Sequence, residues 1–181
     1  DKLNPVNTRP ENHYGHIVEL IPPGGAGRDA DHAAAAFKWD IFVLCGNPKK
    51  PEQGAKFHAA TSEDGWFVNP DNLTFDPQGR MFVATDGAND FDLPDGIYAV
   101  DTEGAARALP KLLFSCPHGA EAAGPAFTPD GSTLFVSVQH PAEDAESLDK
   151  VATLWPDFKP GTLPRPAVVA IQRNDGAPVG A

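Results

Sequence analysis

The stretch Asn69-Pro70-Asp71-Asn72-Leu73-Thr74-Phe75-Asp76-Pro77-Gln78-Gly79-Arg80-Met81-Phe82-Val83 decides the fold, because its second half recurs. Phe75-Asp76-Pro77-Gln78-Gly79-Arg80-Met81-Phe82-Val83 matches Phe127-Thr128-Pro129-Asp130-Gly131-Ser132-Thr133-Leu134-Phe135-Val136, with one residue inserted in the second copy. Each copy reads as a strand ending in Phe, a Pro-x-Gly turn and a second apolar strand, which is the turn chemistry of a β-hairpin. A hairpin recurring at a spacing of roughly 50 residues is the mark of a β-propeller, whose blades are four-stranded antiparallel sheets.

Working outward, four strands of one complete blade fall at residues 71–75, 80–85, 96–101 and 111–115. The third follows the Pro94-Asp95 turn and alternates apolar positions through Ile97, Tyr98, Ala99 and Val100. The next blade takes residues 124–127, 133–138 and 167–171, and no fourth strand remains for it. Upstream, residues 16–20 and 39–44 fit the third and fourth strands of an earlier blade. The expected fold is therefore all-β, a partial β-propeller of about two four-stranded antiparallel blades with long loops, in one domain over residues 1–181. A propeller closes from about four to eight blades. The chain thus reads as the C-terminal fragment of a longer protein, and the first residue, Asp1 rather than Met, reads the same way. A homodimer through the open sheet edges is the alternative.

Composition agrees with short elements and many turns: Gly and Pro together make 36 of 181 residues. The net charge of −11 leaves no basic stripe for phosphate neutralisation, which excludes nucleic acid as a partner. No run approaches the roughly 20 apolar residues of a membrane span. Cys45 and Cys116 are too few for a disulfide framework and fit no zinc spacing; Cys45, within an apolar run, reads as a buried, inert thiol. Two long loops stand out, at residues 24–36, where the Ala33-Ala34-Ala35-Ala36 run fits one helical turn, and at residues 142–164, with an acidic stretch.

Chemistry-bearing residues gather at strand ends. Asp71 stands at the entrance of a blade's innermost strand, Asp86 ends the second strand, and Glu121 precedes the equivalent entrance of the next blade. Carboxylates from neighbouring entrances suit a hard cation such as calcium, which takes six to eight oxygen ligands. Asp71 and Asp86 fit equally as caps of their own turns. The segment Asn7-Thr8-Arg9-Pro10-Glu11-Asn12-His13-Tyr14-Gly15-His16 is the densest in functional types. Arg9 suits bidentate contact with a phosphate or carboxylate, and Glu11 suits acid–base work or metal ligation. His118, Gln139 and His140 form a looser set. No nucleophile elbow, zinc helix or phosphate-cradling loop occurs, and Gly24-Gly25-Ala26-Gly27 reads as a turn.

The block from Asn7 to Ile17, with Trp39-Asp40-Ile41-Phe42-Val43, Asn69 through Arg80, Thr85-Asp86-Gly87, Gly124 through Gly131, Gln139-His140-Pro141, Trp155-Pro156 and Pro164-Arg165-Pro166, resembles the C-terminal half of the PhoX-like alkaline phosphatases. These are secreted, calcium-dependent propeller enzymes. The resemblance implies hydrolysis of phosphate monoesters at a calcium and ferric-iron cluster, in a periplasmic or secreted protein. It gives Arg9 the substrate phosphate and Glu11 a place in the metal cluster, with Asp71, Asp86 and Glu121 as further metal ligands. Neither Cys45 nor Cys116 matches the family's iron-bridging cysteine. Ligands in such enzymes come from both halves of the propeller, so the chain alone is expected to be inactive. A noncatalytic propeller-type binding or assembly module is the alternative function.

Overall fold

A computed structural model describes residues 2–180; Asp1, read above as the start of a processed piece, lies outside the described residues, as does Ala181. Among the described residues, nine strands form three antiparallel sheets in sequence order. β1 (His16–Ile21) pairs with β2 (Lys38–Leu44); β3 (Pro70–Phe75), β4 (Met81–Thr85), β5 (Gly96–Val100) and β6 (Pro110–Ser115) form the complete blade. β7 (Glu121–Phe127), β8 (Thr133–Gln139) and β9 (Ala167–Gln172) make a three-stranded blade. The partial propeller expected from the repeat is the fold, with an outer pair, a full blade and a blade lacking its fourth strand.

The two hairpin turns of the repeat close alike despite the inserted residue. In the first, the Asp76 carboxylate accepts the Gln78 and Arg80 amides at 2.9 Å, and the Asp76 amide donates to the Arg80 carbonyl. In the second, the Thr128 amide donates to the Thr133 carbonyl, and Asp130 gathers the Thr128 hydroxyl at 2.6 Å and the Ser132 amide at 3.0 Å. Gly79 and Gly131 hold φ of 82° and 71°, a left-handed backbone that only glycine adopts without cost. The equivalent positions Asn72 and Gly124 also touch: the Gly124 amide donates to Asn72 Oδ1 at 3.0 Å, tying one inner strand to the next.

Strand alternation distributes the core to both faces of the middle blade. Met81 and Val83 of β4, with Tyr98 and Val100 of β5, pack against Phe42 and Val43 of the first sheet and Cys45 just beyond it, together with Phe67. Phe82 and Ala84, with Ile97, face Leu134, Val136 and Val138 of the last blade. β4 is buried along its whole length for that reason. The flanking sheets have one covered face each, so Leu20, Trp39, Phe135 and Val168 remain exposed. From the C-terminal side, Val179 is buried against the interface, its amide donating to the Gly131 carbonyl, while Arg80 donates to the Val179 and Gly180 carbonyls.

One local expectation is corrected. The Ala33–Ala36 run is not helical; the loop's only helical piece is a 3-10 turn at Gly27–Asp29. Four alanines give no partner face to offset the cost of nucleation.

Candidate functional site

Antiparallel pairing places β3's start beside β4's end, and β7's start beside β8's end. Pro70 is opposite Thr85 and Glu121 opposite Gln139, so Asp71, Asp86, Glu121 and His140 emerge at one end of adjoining sheets. A recess of about 180 Å³ lies there, lined by Asp86, Asp95, Glu121, His140, Glu143 and Asp144, with Gly119 among its backbone walls. Left-handed backbone occurs here at two residues other than glycine: His140 in its lining, at φ 35°, and Asn69, at φ 48°, which bonds the Gly87 carbonyl behind it. Conformations of this kind persist only where surrounding contacts hold them.

Glu121 is buried, and its Oε2 lies 2.9 Å from His140 Nε2. The other ring nitrogen, Nδ1, is 2.9 Å from Glu143 Oε2, and His118 Nδ1 is 3.2 Å from Asp144 Oδ2. Asp86 is solvent-exposed on one side, yet its carboxyl titrates above its ordinary value. What burial it has is the first cause, followed by the charges of Glu121, Asp95 and Asp71, with His140 pulling the other way. Three of the residues singled out in the sequence, Asp71, Asp86 and Glu121, thus share one electrostatic environment.

Arg9 and Glu11 are arranged differently. The Arg9 guanidinium donates through Nη1 to the Cys45 and Gln53 carbonyls at 2.6 and 2.8 Å. Through Nη2 it donates to Asn12 Oδ1 at 2.6 Å and the Gly15 carbonyl at 2.7 Å. It cross-links three loops, and a phosphate contact through those terminal nitrogens requires them to exchange partners. Glu11 is exposed at φ 50°, with its Oε2 3.9 Å from His13 Nε2, and is not among the residues lining the recess.

The donor set of the recess is oxygen-rich and mutually repulsive, which is the chemistry a hard cation relieves. Among the described residues, however, no group of three His, Cys, Asp or Glu side chains is close enough to hold a metal ion. The chain therefore presents donors of the right kind without a closed ligand sphere of its own. Glu143 and Asp144 read in the sequence only as part of an acidic loop, and Asp95 only as a turn residue; all three reach the recess. Their signal is tertiary, since no short spacing joins them to Asp86.

Among the described residues, no helix is long and apolar enough to cross a membrane. No curated protein matches the chain. A solved structure, Pseudomonas fluorescens PhoX in complex with vanadate, a transition state analogue, superposes with a TM-score of 0.78 at 33% sequence identity. The match covers 97% of this chain and 29% of that one, so the chain spans under a third of its relative's length. The sequence pattern of the family Alkaline phosphatase PhoX matches residues 1–142. With the repeat, the sheet order and these matches in agreement, the chain belongs to the PhoX alkaline phosphatase family.

Proposed function

We propose that this chain is the C-terminal part of a metal-dependent phosphatase that hydrolyses phosphate monoesters, and that it has little or no activity by itself. The observation that carries the reading is the convergence of the Asp86, Glu121, Glu143 and Asp144 carboxylates on one recess, with His140 between Glu121 and Glu143. Asp71, Asp86 and Glu121 would hold the cations, calcium together with iron. When bound, such cations supply neutralisation of phosphoryl oxygens and activation of an oxygen nucleophile.

The chain's own residues prepare that site. His140 fixes the Glu121 carboxylate by its Nε2 contact, and Glu143 approaches the ring from the other side. Arg9 would contact the substrate phosphate by exchanging the Asn12 and Gly15 acceptors for phosphoryl oxygens, and Glu11 would join the cluster from its exposed loop. The remaining propeller blades would supply the other ligands, and the whole protein would work in the periplasm or outside the cell.

The exposed apolar groove favours a second reading, a noncatalytic assembly module. About 440 Å³ of space lies between the first sheet and the middle blade, lined by Ile17, Leu20, Phe42, Leu73 and Phe75, beside the unpaired edge of β1. Hydrolysis of p-nitrophenyl phosphate in calcium separates the two, measured on this chain alone and on the complete propeller carrying it. The phosphatase reading expects turnover only from the complete propeller, lost on Glu11→Gln or Asp86→Asn with folding intact. Turnover unchanged by either substitution, or absent altogether, overturns it.

A further inference from the structure

The loop that displays Asp86 is built around a carboxylate that points away from solvent. Asp95 is 2% exposed and lies nine residues along the chain, where β5 begins. Its Oδ1 accepts the Thr85 hydroxyl at 2.6 Å and the Ala88 amide at 3.0 Å. Its Oδ2 accepts the Gly87 amide at 3.0 Å and Asn89 Nδ2 at 3.3 Å. The donors thus come from the residue before Asp86 and the three after it. Thr85 completes the circuit by accepting the Gly96 amide on its own Oγ1 at 3.1 Å, and the Asp95 carbonyl accepts the Cys116 amide at 2.8 Å. A buried carboxylate satisfied by four donors is costly to disturb, because each donor left unpaired bears its own desolvation penalty.

The opposite side of the loop is held as well. The Asp86 amide donates to the Asn69 carbonyl at 3.1 Å, and Asn69 Nδ2 donates to the Gly87 carbonyl at 3.3 Å. Asp86 is left as the one side chain of residues 85–88 directed to the shared recess, between two clamps that leave its own carboxylate free of protein donors among the bonds described.

We propose that Asp95 is the positioning residue of this site: at the wall of the recess, with both carboxylate oxygens taken up by four protein donors, it acts through Asp86, fixing the 85–89 turn so that the Asp86 carboxylate is presented at the end of the sheets. The proposal rests on the reading of Asp86 as a cation ligand. Residues that orient metal ligands from behind change metal affinity by about 10- to 100-fold when lost. The same turn with a neutral amide at residue 95 keeps the shape and replaces one acceptor by a donor facing other donors.

The test compares Asp95→Asn, Thr85→Val and Asp86→Asn with the unaltered sequence, each carried in the complete propeller that supplies the remaining ligands, by two readouts. The first is amide hydrogen exchange at Gly87 and Ala88; the second is calcium affinity by calorimetry, with calcium chloride as the probe. Asp95→Asn is expected to speed exchange at both amides by about tenfold or more, and Asp86→Asn to leave them protected. Calcium affinity is expected to fall by about 10- to 100-fold in Asp95→Asn, by less in the milder Thr85→Val, and to vanish in Asp86→Asn. Unchanged exchange at Gly87 and Ala88 in Asp95→Asn overturns the proposal whatever calcium does. Calcium affinity that Asp86→Asn removes and Asp95→Asn leaves intact also overturns it, while the ligand reading stands. Absence of calcium binding in the unaltered protein overturns the ligand reading itself, and with it the link from Asp95 to a cation.

Discussion

His140 Nε2 lies 2.9 Å from Glu121 Oε2, so the residue just beyond β8 closes on the residue that opens β7. The contact ties two strand ends and covers a buried carboxylate at once. His140→Ala leaves Glu121 without this partner, and the expected loss is about 1 kcal/mol, since the imidazole is itself half-exposed. At roughly 2–4 °C per kcal/mol, the melting temperature falls by about 3 °C. A thermal melt in chelator measures it, and an unchanged midpoint removes the contact from the account of stability.

Asp86 gives a pH dependence with a definite sign. Its carboxyl holds its proton more tightly in the folded chain than in the unfolded one, first through partial burial and then through Glu121, Asp95 and Asp71. Between the unfolded and folded pKa values the folded state binds more protons, so stability falls as pH rises through that window and stays reduced above it. In chelator, Asp86→Asn is therefore expected to melt above the unaltered chain at pH 7, with the gap closing as pH drops below the ordinary carboxylate value. Millimolar calcium is expected to reverse the order if Asp86 is a ligand. Melts from pH 3 to 8, with and without calcium, read both effects.

Arg9 is expected to matter to folding before it matters to chemistry. Arg9→Ala removes the donor to the Cys45, Gln53 and Gly15 carbonyls and to Asn12, at an expected cost of about 2–4 kcal/mol. Arg9→Lys recovers little, because a single ammonium cannot span acceptors arranged around a planar fork. Urea unfolding of both variants checks this, and midpoints equal to the unaltered chain's contradict it.

The thiols are expected to be silent in the native state. Cys45 and Cys116 are both buried; burial pushes the Cys45 thiol far up and the Cys116 thiol up to about 12, where Asp95 and Glu121 add to the effect. The thiolate is the reactive form, so a disulfide reagent at pH 8 should label neither residue until denaturant is added. Rapid labelling of the folded chain would show that one of these faces opens readily.

Much of the architecture was legible because it is written locally. The Phe-x-Pro-x-Gly turns, the apolar runs of Met81 to Thr85 and Thr133 to Gln139, the alternation through Ile97 to Val100, and the shortfall of strands at both ends all follow from turn chemistry and hydrophobic patterning. Asp71 and Glu121 could be related in the sequence because the repeat aligns the strand entrances beside them, and Asp86 because it ends the strand paired with the first of these. Asp95 was not, because Pro94-Asp95 is an ordinary turn dipeptide and nothing nearby in sequence reveals that four donors converge on its carboxylate. Arg9 has the residue type of an anion clamp, and only the fold reveals that carbonyls 36 and 44 residues away accept its protons. Phe67 and Val179 are buried from irregular segments, where no periodicity marks the inward side.

The tie between Arg80 and the Val179 carbonyl spans 99 residues of chain. During synthesis at about 5–20 residues per second, the Arg80 end of the middle blade emerges roughly 5–20 s before the segment that covers its seam with the last blade. For that interval Phe82, fully buried in the finished structure, lacks part of its cover. The nascent chain thus passes through a period of exposed apolar surface set by connectivity rather than by stability, and holding factors have that window in which to act.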